Sequence, residues 1–399
     1  MSPWQTLNWV SGVGLAATWL YHTLAARRGI PQIADLNRPE YAVAAGTKLP
    51  RVSIIVPARN EEAMIETAVR SLLTIDYPDY ELVVVDDRSD DGTGEILDRL
   101  KAEYGGRLVV VHVRELPPGW LGKTHAMWSA ARAGSSESTL LQSTPSEWIL
   151  FSDADVVHAP EALRRAVNYA ERERADHMVL LPTMLMESVG ERMMISFFQA
   201  MFIFAYRPWK VRDPKARDSM GVGAFNMVRR SAYEKIGTYE SMRLSVVDDM
   251  RLGEKVKQAG LASRVAFGEG MVEIRWAVGA RGVVQNLTKN FFAQVRYNVA
   301  FAIVAAGGLL WLHLGPWVGT VLAPGWSRMG YAVSLGCLVS VYAAMGRRTK
   351  IRTGYVLLHP VASVLMVFTL LRSTVVTLVR GGVEWRGTFY ALKDLKRNR

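Results

Sequence analysis

Cysteine is almost missing: Cys337 is the single cysteine in 399 residues, and it sits in an apolar run. A disulfide framework is therefore excluded, and so is the paired-cysteine spacing of a structural zinc site. Glycine is missing from the turn after the first strand-like run, Pro57-Ala58-Arg59-Asn60-Glu61-Glu62. A dinucleotide dehydrogenase needs glycine there so that a pyrophosphate can approach the backbone, and no P-loop occurs elsewhere. Residues 1–6 carry no positive charge, whereas a cleaved signal peptide has its charge ahead of the apolar stretch. No internal repeat is visible.

Apolar residues, by contrast, are abundant. The composition is 50% hydrophobic with 12 Trp and 17 Met, and the mean hydropathy is slightly positive. Soluble domains are usually less apolar, so membrane segments are expected. Net charge is +11. Nucleic acid is one partner that such charge admits. The basic residues flank apolar runs, however, as anionic headgroups and the positive-inside rule produce, so a phospholipid membrane is expected and nucleic acid is not.

Four stretches approach the ~20 residues a spanning helix needs: 7–26, 299–322, 329–346 and 355–379. Residues 1–28 read as an uncleaved N-terminal transmembrane anchor that ends at Arg27-Arg28 on the cytoplasmic side. The cluster Arg347, Arg348, Lys350 and Arg352 should also be cytoplasmic. A multi-pass protein of the cell (inner) membrane results, with residues 27–298 inside. A full fourth crossing would put the basic tail, 380–399 (Arg386, Lys393, Lys396, Arg397, Arg399), outside, against the rule. His359-Pro360 and Arg372 interrupt that last stretch, so a hairpin or an interfacial segment stands beside a full crossing.

Residues 29–50, with three prolines, read as a linker. From 51 to 270 the pattern alternates. Short apolar runs at 52–56, 82–85, 108–113, 148–151 and 178–181 are separated by helix-like stretches near 61–74, 93–103, 122–133 and 160–173. This predicts an α/β fold with a mostly parallel sheet covered on both faces. Residues 134–147 form a polar loop. Residues 271–298 mix aromatics with arginines and read as an interfacial amphipathic helix, leading into the transmembrane segments at 299–379. The greasy stretch 185–210 is either core or a docking surface for a lipid.

In an open α/β sheet, ligands bind at the carboxyl ends of strands. Three neighbouring strands end here in acids or amides: Pro57–Glu62, Asp86-Asp87-Arg88-Ser89 and Ser152-Asp153-Ala154-Asp155. Such a cluster is electrostatically awkward without a cation or donors between its members. If the chain stays extended, Asp153 and Asp155 face the same side, and two carboxylates suit a hard divalent ion, Mg²⁺ or Mn²⁺. The alternative is a cap for a helix starting near Pro160, which by position suits His158 and Ala159 better. Lys123 follows Gly119 and Gly122 and can reach a diphosphate as a point charge at a helix start, or it is a solvated lysine. The glycines of Gly221-Val222-Gly223-Ala224-Phe225 let backbone approach a sugar or acceptor, or simply turn the chain.

VSIIVPARNEE, VVVDDRSDDGT, GWLGKTHA, FSDADV, GVGAF and VVDDMRL, in this order, resemble the family 2 glycosyltransferases of the GT-A fold. The resemblance runs over roughly residues 50–300, and membrane-bound members share the flanking apolar segments. PPGWLGKTHAMW and WRGTFY resemble the hopene-associated glycosyltransferases of bacterial hopanoid biosynthesis more narrowly. The resemblance implies nucleotide-sugar contacts from Pro57, Ala58, Glu61 and Asp87, joined by Lys123 and Asp153. It makes Asp155 the firmer metal ligand, with Asp153 serving the metal or the nucleotide. Family members usually carry Glu-Asp where this chain has Asp248-Asp249, and the base role passes to Asp249. Gly223, Ala224, Phe225 and Asp248 are carried over as the sugar or acceptor site.

The implied activity is metal-dependent, inverting transfer from a nucleotide sugar, a UDP-sugar first, to a membrane lipid hydroxyl such as a hopanoid's. A processive polysaccharide synthase is the rival. Such enzymes carry Gln-x-x-Arg-Trp, whereas this chain offers Gln294-Val295-Arg296-Tyr297. A non-catalytic membrane scaffold is the third reading. Nothing in the sequence indicates an oligomeric state.

Overall fold

A computed structural model describes residues 2–44, 46–136, 146–347, 349 and 351–397. Most of the polar loop at 134–147, together with Arg348, Lys350 and Arg399, lies outside these residues. The chain forms two compact units. An α/β unit contains Ile33–Leu185, Pro208–Arg275 and Glu384–Arg399, and a helical unit contains Met1–Gln32, Met186–Arg207 and Trp276–Val383.

In chain order the helices are α1 (Pro3–Gly29), α2 (Ile65–Leu73), α3 (Thr93–Tyr104), α4 (Gly122–Ser136), α5 (Ala162–Arg172), α6 (Val189–Tyr206) and α7 (Arg230–Lys235). They continue with α8 (Asp248–Gln258), α9 (Gly279–Gln294), α10 (Val299–Leu309), α11 (Gly315–Leu322), α12 (Arg328–Met345), α13 (His359–Arg380) and α14 (Leu392–Arg397). The strands are β1 (Ala34–Asp35), β2 (Val52–Ala58), β3 (Tyr80–Asp87), β4 (Leu108–Val113), β5 (Trp148–Phe151), β6 (Val156–His158) and β7 (His177–Leu181). After them come β8 (Thr183–Met184), β9 (Asn226–Arg229), β10 (Ser263–Phe267), β11 (Val272–Ile274), β12 (Gly382–Trp385) and β13 (Thr388–Ala391).

The main sheet of the α/β unit has the order β1-β10-β7-β9-β5-β2-β3-β4. All its pairs are parallel except those of β9, which runs antiparallel to β5 and β7. Every residue of β2 is buried, as its run of apolar residues requires of a strand covered on both faces. Ile55, Val83, Val85, Ile149 and Phe151 share one face with period two. Met127, Ala130 and Ala131 of α4, Ala232 and Tyr233 of α7, and Leu252 and Val256 of α8 pack on them. Burying each large side chain contributes roughly 1.5–3 kcal/mol, and this layer fixes α4 and α8 over the carboxyl ends of β2, β3 and β5.

Four expectations change. Residues 29–50 are not only a linker, because β1 pairs with β10 at the edge of the sheet. Val272–Ile274 is a strand of a small sheet ordered β6-β11-β8, so the helix expected over 271–298 spans only Gly279–Gln294. His158 does not cap α5. It ends β6, is buried, and takes its place because β6 pairs with β11. Asp153 and Asp155 are not on an extended strand: β5 stops at Phe151, and a turn at 154–155 precedes β6.

In the helical unit, the Val299–Leu322, Gly325–Met345 and Thr353–Arg380 stretches are long and apolar enough to cross a membrane. They are the three such helices among the described residues. The expected anchor is the 27-residue helix α1, which is not among them. It does expose Trp4, Leu7, Trp9 and Val10, and it packs on α12 where Gly12 meets Gly330. The first apolar stretch is broken by a π turn at Leu310–Leu314, and Trp19 Nε1 of α1 donates to Leu312 O at 2.9 Å. His359-Pro360 does not interrupt the last stretch. Proline stands in the first turn of α13, where its missing N–H costs nothing. The helix continues through Arg372, whose Nη1 donates to Thr288 Oγ1 at 2.6 Å. Met193, Met194, Phe197 and Phe204 of α6 are buried, the core alternative for residues 185–210.

Candidate active site

Two pockets open at the carboxyl ends of β2, β3 and β5, and both are lined by Lys123. The first, about 310 Å³, is lined by Pro57, Ala58, Arg59, Asp87, Arg88 and Gly122, and by Trp385, Arg386 and Tyr390 from the far end of the chain. Four cations face one carboxylate there. The second, about 180 Å³, is lined by Asp153, Asp248, Asp249, Gly223, Asn226 and Tyr239 among others. Three carboxylates face one cation there.

The chain turns sharply where β2 and β3 end. Asn60 and Arg88 both have left-handed backbone, at φ 54° and 58°, a conformation that non-glycine residues adopt only when the surroundings hold it. At Arg88 it swings the guanidinium back onto Asp87, with Nε 2.8 Å from Oδ1 and Nη2 3.0 Å from Oδ2. Gly122 is needed beside this pair, since a Cβ on it would stand 2.1 Å from Asp87 Oδ2. Asp86 serves the turn instead: its Oδ1 accepts from Ser89 N at 3.2 Å, and Oδ2 pairs with His112 Nδ1 at 2.9 Å. The Asp86 and Asp98 carboxylates raise the pKa of His112 against the effect of its burial.

Lys123, at the start of α4, places its ammonium 2.7 Å from Asp153 Oδ1 and 3.5 Å from Asp248 Oδ2. Burial disfavours the charge, but Asp153, Asp248 and Asp249 outweigh it and hold the ammonium well above its ordinary range. Gly223 pins two of these acids. Its N–H donates to Asp249 Oδ2 at 3.0 Å, its carbonyl accepts from Asp153 N at 3.0 Å, and a Cβ on it would fall 2.3 Å from Asp153 Oδ2. Gly221 meets the backbone of Asp249 even more closely, at 1.8 Å from a Cβ to its carbonyl oxygen. Ala224 and Phe225 lie beneath this turn, fully buried and lining neither pocket.

Asp248 and Asp249 open α8. Asp249 Oδ1 also accepts from Met250 N at 2.7 Å. Burial raises the pKa of Asp249, opposed by the Lys123 charge and by the two amides. Burial pushes Asp248 up to about 7 against the pull of Lys123. Asp155 is also pushed to about 7, first by burial and then by the like charges of Asp153 and Glu61. Glu61 is itself raised, mainly by burial, and Arg386 opposes that shift.

Asp155, Asp153 and Glu61 thus repel one another through hard oxygen donors, an arrangement that a divalent cation relieves. The residues fit Mg²⁺ or Mn²⁺. Among the described residues no group of three or more His, Cys, Asp or Glu side chains converges as a metal set.

Two supporting residues were not foreseen. His177, buried across three strands, hydrogen-bonds Ser263 Oγ at 2.8 Å and Asn226 Oδ1 at 2.7 Å. Asn226 Nδ2 in turn donates to Asp249 O at 3.3 Å. Burial lowers the His177 pKa to about 4, so the ring is neutral at pH 7. Trp385, Arg386 and Tyr390 lie in the basic tail and its WRGTFY motif, for which no site role is expected, yet they line the first pocket. Their motif was the available signal, but its spatial partners lie 268 to 329 positions earlier.

Residues 53–237 match the model of glycosyl transferase family 2. The 4,4'-diaponeurosporenoate glycosyltransferase of Staphylococcus haemolyticus is 24% identical over 60% of this chain and 60% of its own length. The beta-monoglucosyldiacylglycerol synthase of Trichormus variabilis is 36% identical over 32% of this chain, and that match covers 25% of its length. The chain therefore matches less than two thirds of the length of each of these relatives. The mannosyltransferase PcManGT from Pyrobaculum calidifontis, solved in complex with GDP-Man and Mn²⁺, superposes with a TM-score of 0.53 at 19% identity. The superposition covers 93% of this chain and 99% of that one, a likeness of fold. Residues 53–237 are thus similar to glycosyl transferase family 2, and the α/β sheet has a GT-A-like fold.

Proposed function

We propose that this domain transfers a sugar, with inversion, from a nucleotide-sugar donor to the hydroxyl of a membrane lipid. The observation that carries the reading is the polarity of the two pockets, one cationic and one acidic, joined at Lys123. The cationic pocket suits a nucleoside diphosphate: Asp87 and the ends of β2 and β3 face the nucleoside, while Arg59, Arg88 and Lys123 face the diphosphate. The acidic pocket suits the reacting hydroxyl. Asp249 takes its proton as the oxygen attacks the sugar carbon from the side opposite the diphosphate, and a single displacement inverts that centre.

A divalent ion held by Asp155 and Asp153 would supply charge stabilisation to the departing diphosphate. Asp248 and Lys123 keep the base in a fixed field, and Gly223 holds Asp249 by its backbone N–H. Lipid acceptors are supported by the names of the two curated relatives and by three helices long and apolar enough to enter a membrane. The sequence resemblance favours a hopanoid among lipids and a UDP-sugar among donors.

The deciding experiment compares lipid extracts from cells that express the wild type with extracts from cells that express Asp249→Asn. Mass spectrometry should find one lipid heavier by a single hexose-type increment in the wild type alone. Identical extracts would overturn the reading, and a ladder of increments would favour the polymerase.

A further inference from the structure

The proposed chemistry uses nothing beyond residue 275, yet Glu384–Arg399 belongs to the α/β unit. Strands β12 and β13 form a two-stranded sheet joined by a tight turn in which Arg386 and Gly387 are both left-handed, φ 49° and 73°. The turn faces the end of β2. Arg386 donates through Nη2 to Glu61 Oε1 at 2.5 Å and through Nη1 to Arg59 O at 3.3 Å. Arg59 Nη1 donates to Thr388 Oγ1 at 3.3 Å. Tyr390 Oη accepts from Gly122 N, the first amide of α4, at 3.2 Å. That amide is one of the helix-start donors that bind anions well.

The second observation is Arg59 Nε, which is buried and has no hydrogen-bond partner. A buried guanidinium N–H left unmade is costly, and this one belongs to a pocket where Arg59, Arg88, Lys123 and Arg386 converge. Asp87, Asp153 and Glu61 pair with three of these cations, and Arg59, with its unfilled Nε donor, has no carboxylate partner among the described residues. Convergent guanidinium and ammonium donors of this kind suit an anionic ligand such as a phosphate.

Resting on the donor reading above, we propose that residues 384–391 are a strap that completes the donor site and responds to its ligand. In the structure Arg386 is held by Glu61, and the Gly122 amide is held by Tyr390. The diphosphate takes over both: Arg386 turns from carboxylate to phosphate, and the Gly122 N–H donates to a phosphate oxygen. The strap is then fastened across the nucleotide: Arg386 exchanges one charge-assisted partner for another, and the Gly122 amide exchanges a neutral hydroxyl for a charged phosphate oxygen.

The test uses the full chain in detergent with Mn²⁺, and UDP and GDP as probes. Arg386→Gln should weaken binding of the preferred diphosphate by about 10- to 100-fold. It should weaken the corresponding monophosphate much less, and Arg386→Lys should recover part of the loss. A purely structural role would weaken both ligands alike. Trypsin cleavage after Arg386 in the wild type should slow when the diphosphate is added, a readout that needs no variant. Equal diphosphate affinity in wild type and Arg386→Gln, or cleavage unchanged by ligand that binds, overturns the strap and leaves the donor reading standing. A wild type that binds neither diphosphate overturns both.

Discussion

Asp249 holds both carboxylate oxygens against backbone amides, one from Gly223 and one from Met250. A carboxylate so fixed cannot swing away, as the base role proposed for it requires. Asp249→Asn keeps the size and the hydrogen-bonding shell but loses the basic oxygen. Transfer should fall by about 10²- to 10⁴-fold, while nucleotide binding measured by calorimetry stays within a few fold. Because burial holds this carboxyl above its ordinary 3.8, the acid limb of kcat/KM should fall at a pH above that of an exposed aspartate. A limb at or below 3.8 would contradict the assignment.

Asp155 makes a different demand. Asp155→Ala removes a repelled oxygen donor, and the nucleotide affinity gained on adding Mn²⁺ should disappear. A titration matching the wild type would remove Asp155 from the ligand set. Most of these residues were legible in the sequence because strand-end acids and close-approach glycines sit in short local motifs. The link from His177 through Asn226 to Asp249 was not. Each step crosses strands far apart in the chain, and a histidine in an apolar run looks like any buried histidine.

At the scale of elements, β2, β3, β4, β5 and β7 announced themselves as apolar runs, and α3 and α4 began where expected. β9 and β10 escaped notice. Asn226–Arg229 is short, and its polar residues serve His177 and Glu147, while Ser263–Phe267 alternates weakly. Both are strands by pairing rather than by pattern. Helix packing is the corresponding test in the helical unit. A Cβ on Gly330 would stand 2.4 Å from the carbonyl carbon and oxygen of Gly12, so Gly330→Ala must part α1 from α12. A loss of about 1–3 kcal/mol is expected, read as a lower melting temperature in detergent.

The β3–β4 edge carries a pH signature. His112 has a raised pKa in the fold through Asp86 and Asp98. Its stabilisation is therefore fully present below the unfolded value of 6.5 and is lost as pH rises through the folded one. His112→Asn should lower the melting temperature at pH 5.5 and leave it nearly unchanged at pH 9. An equal loss at both would deny the ion pair.

At the scale of the molecule, three apolar helices and the outward-facing Trp326, Val321, Leu322 and Val379 predict that the protein stays with membranes after an alkaline carbonate wash. Release into the supernatant would exclude integral insertion. Composition and charge made this level readable early, since a chain this apolar must hide its surface somewhere. What they could not give was the partition of the chain, because the α/β unit takes back the residues that follow the last apolar helix.

That return sets an order in time. Arg59, Asp87 and Lys123 leave the ribosome early, the acids of α8 follow, and Trp385, Arg386 and Tyr390 come after every apolar helix has been made. A chain under synthesis thus possesses Asp249, the proposed base, before it possesses every residue that lines the first pocket. On the strap proposal, its affinity for donor should reach full strength only when translation has passed the strap, after the apolar helices have had their chance to reach the bilayer.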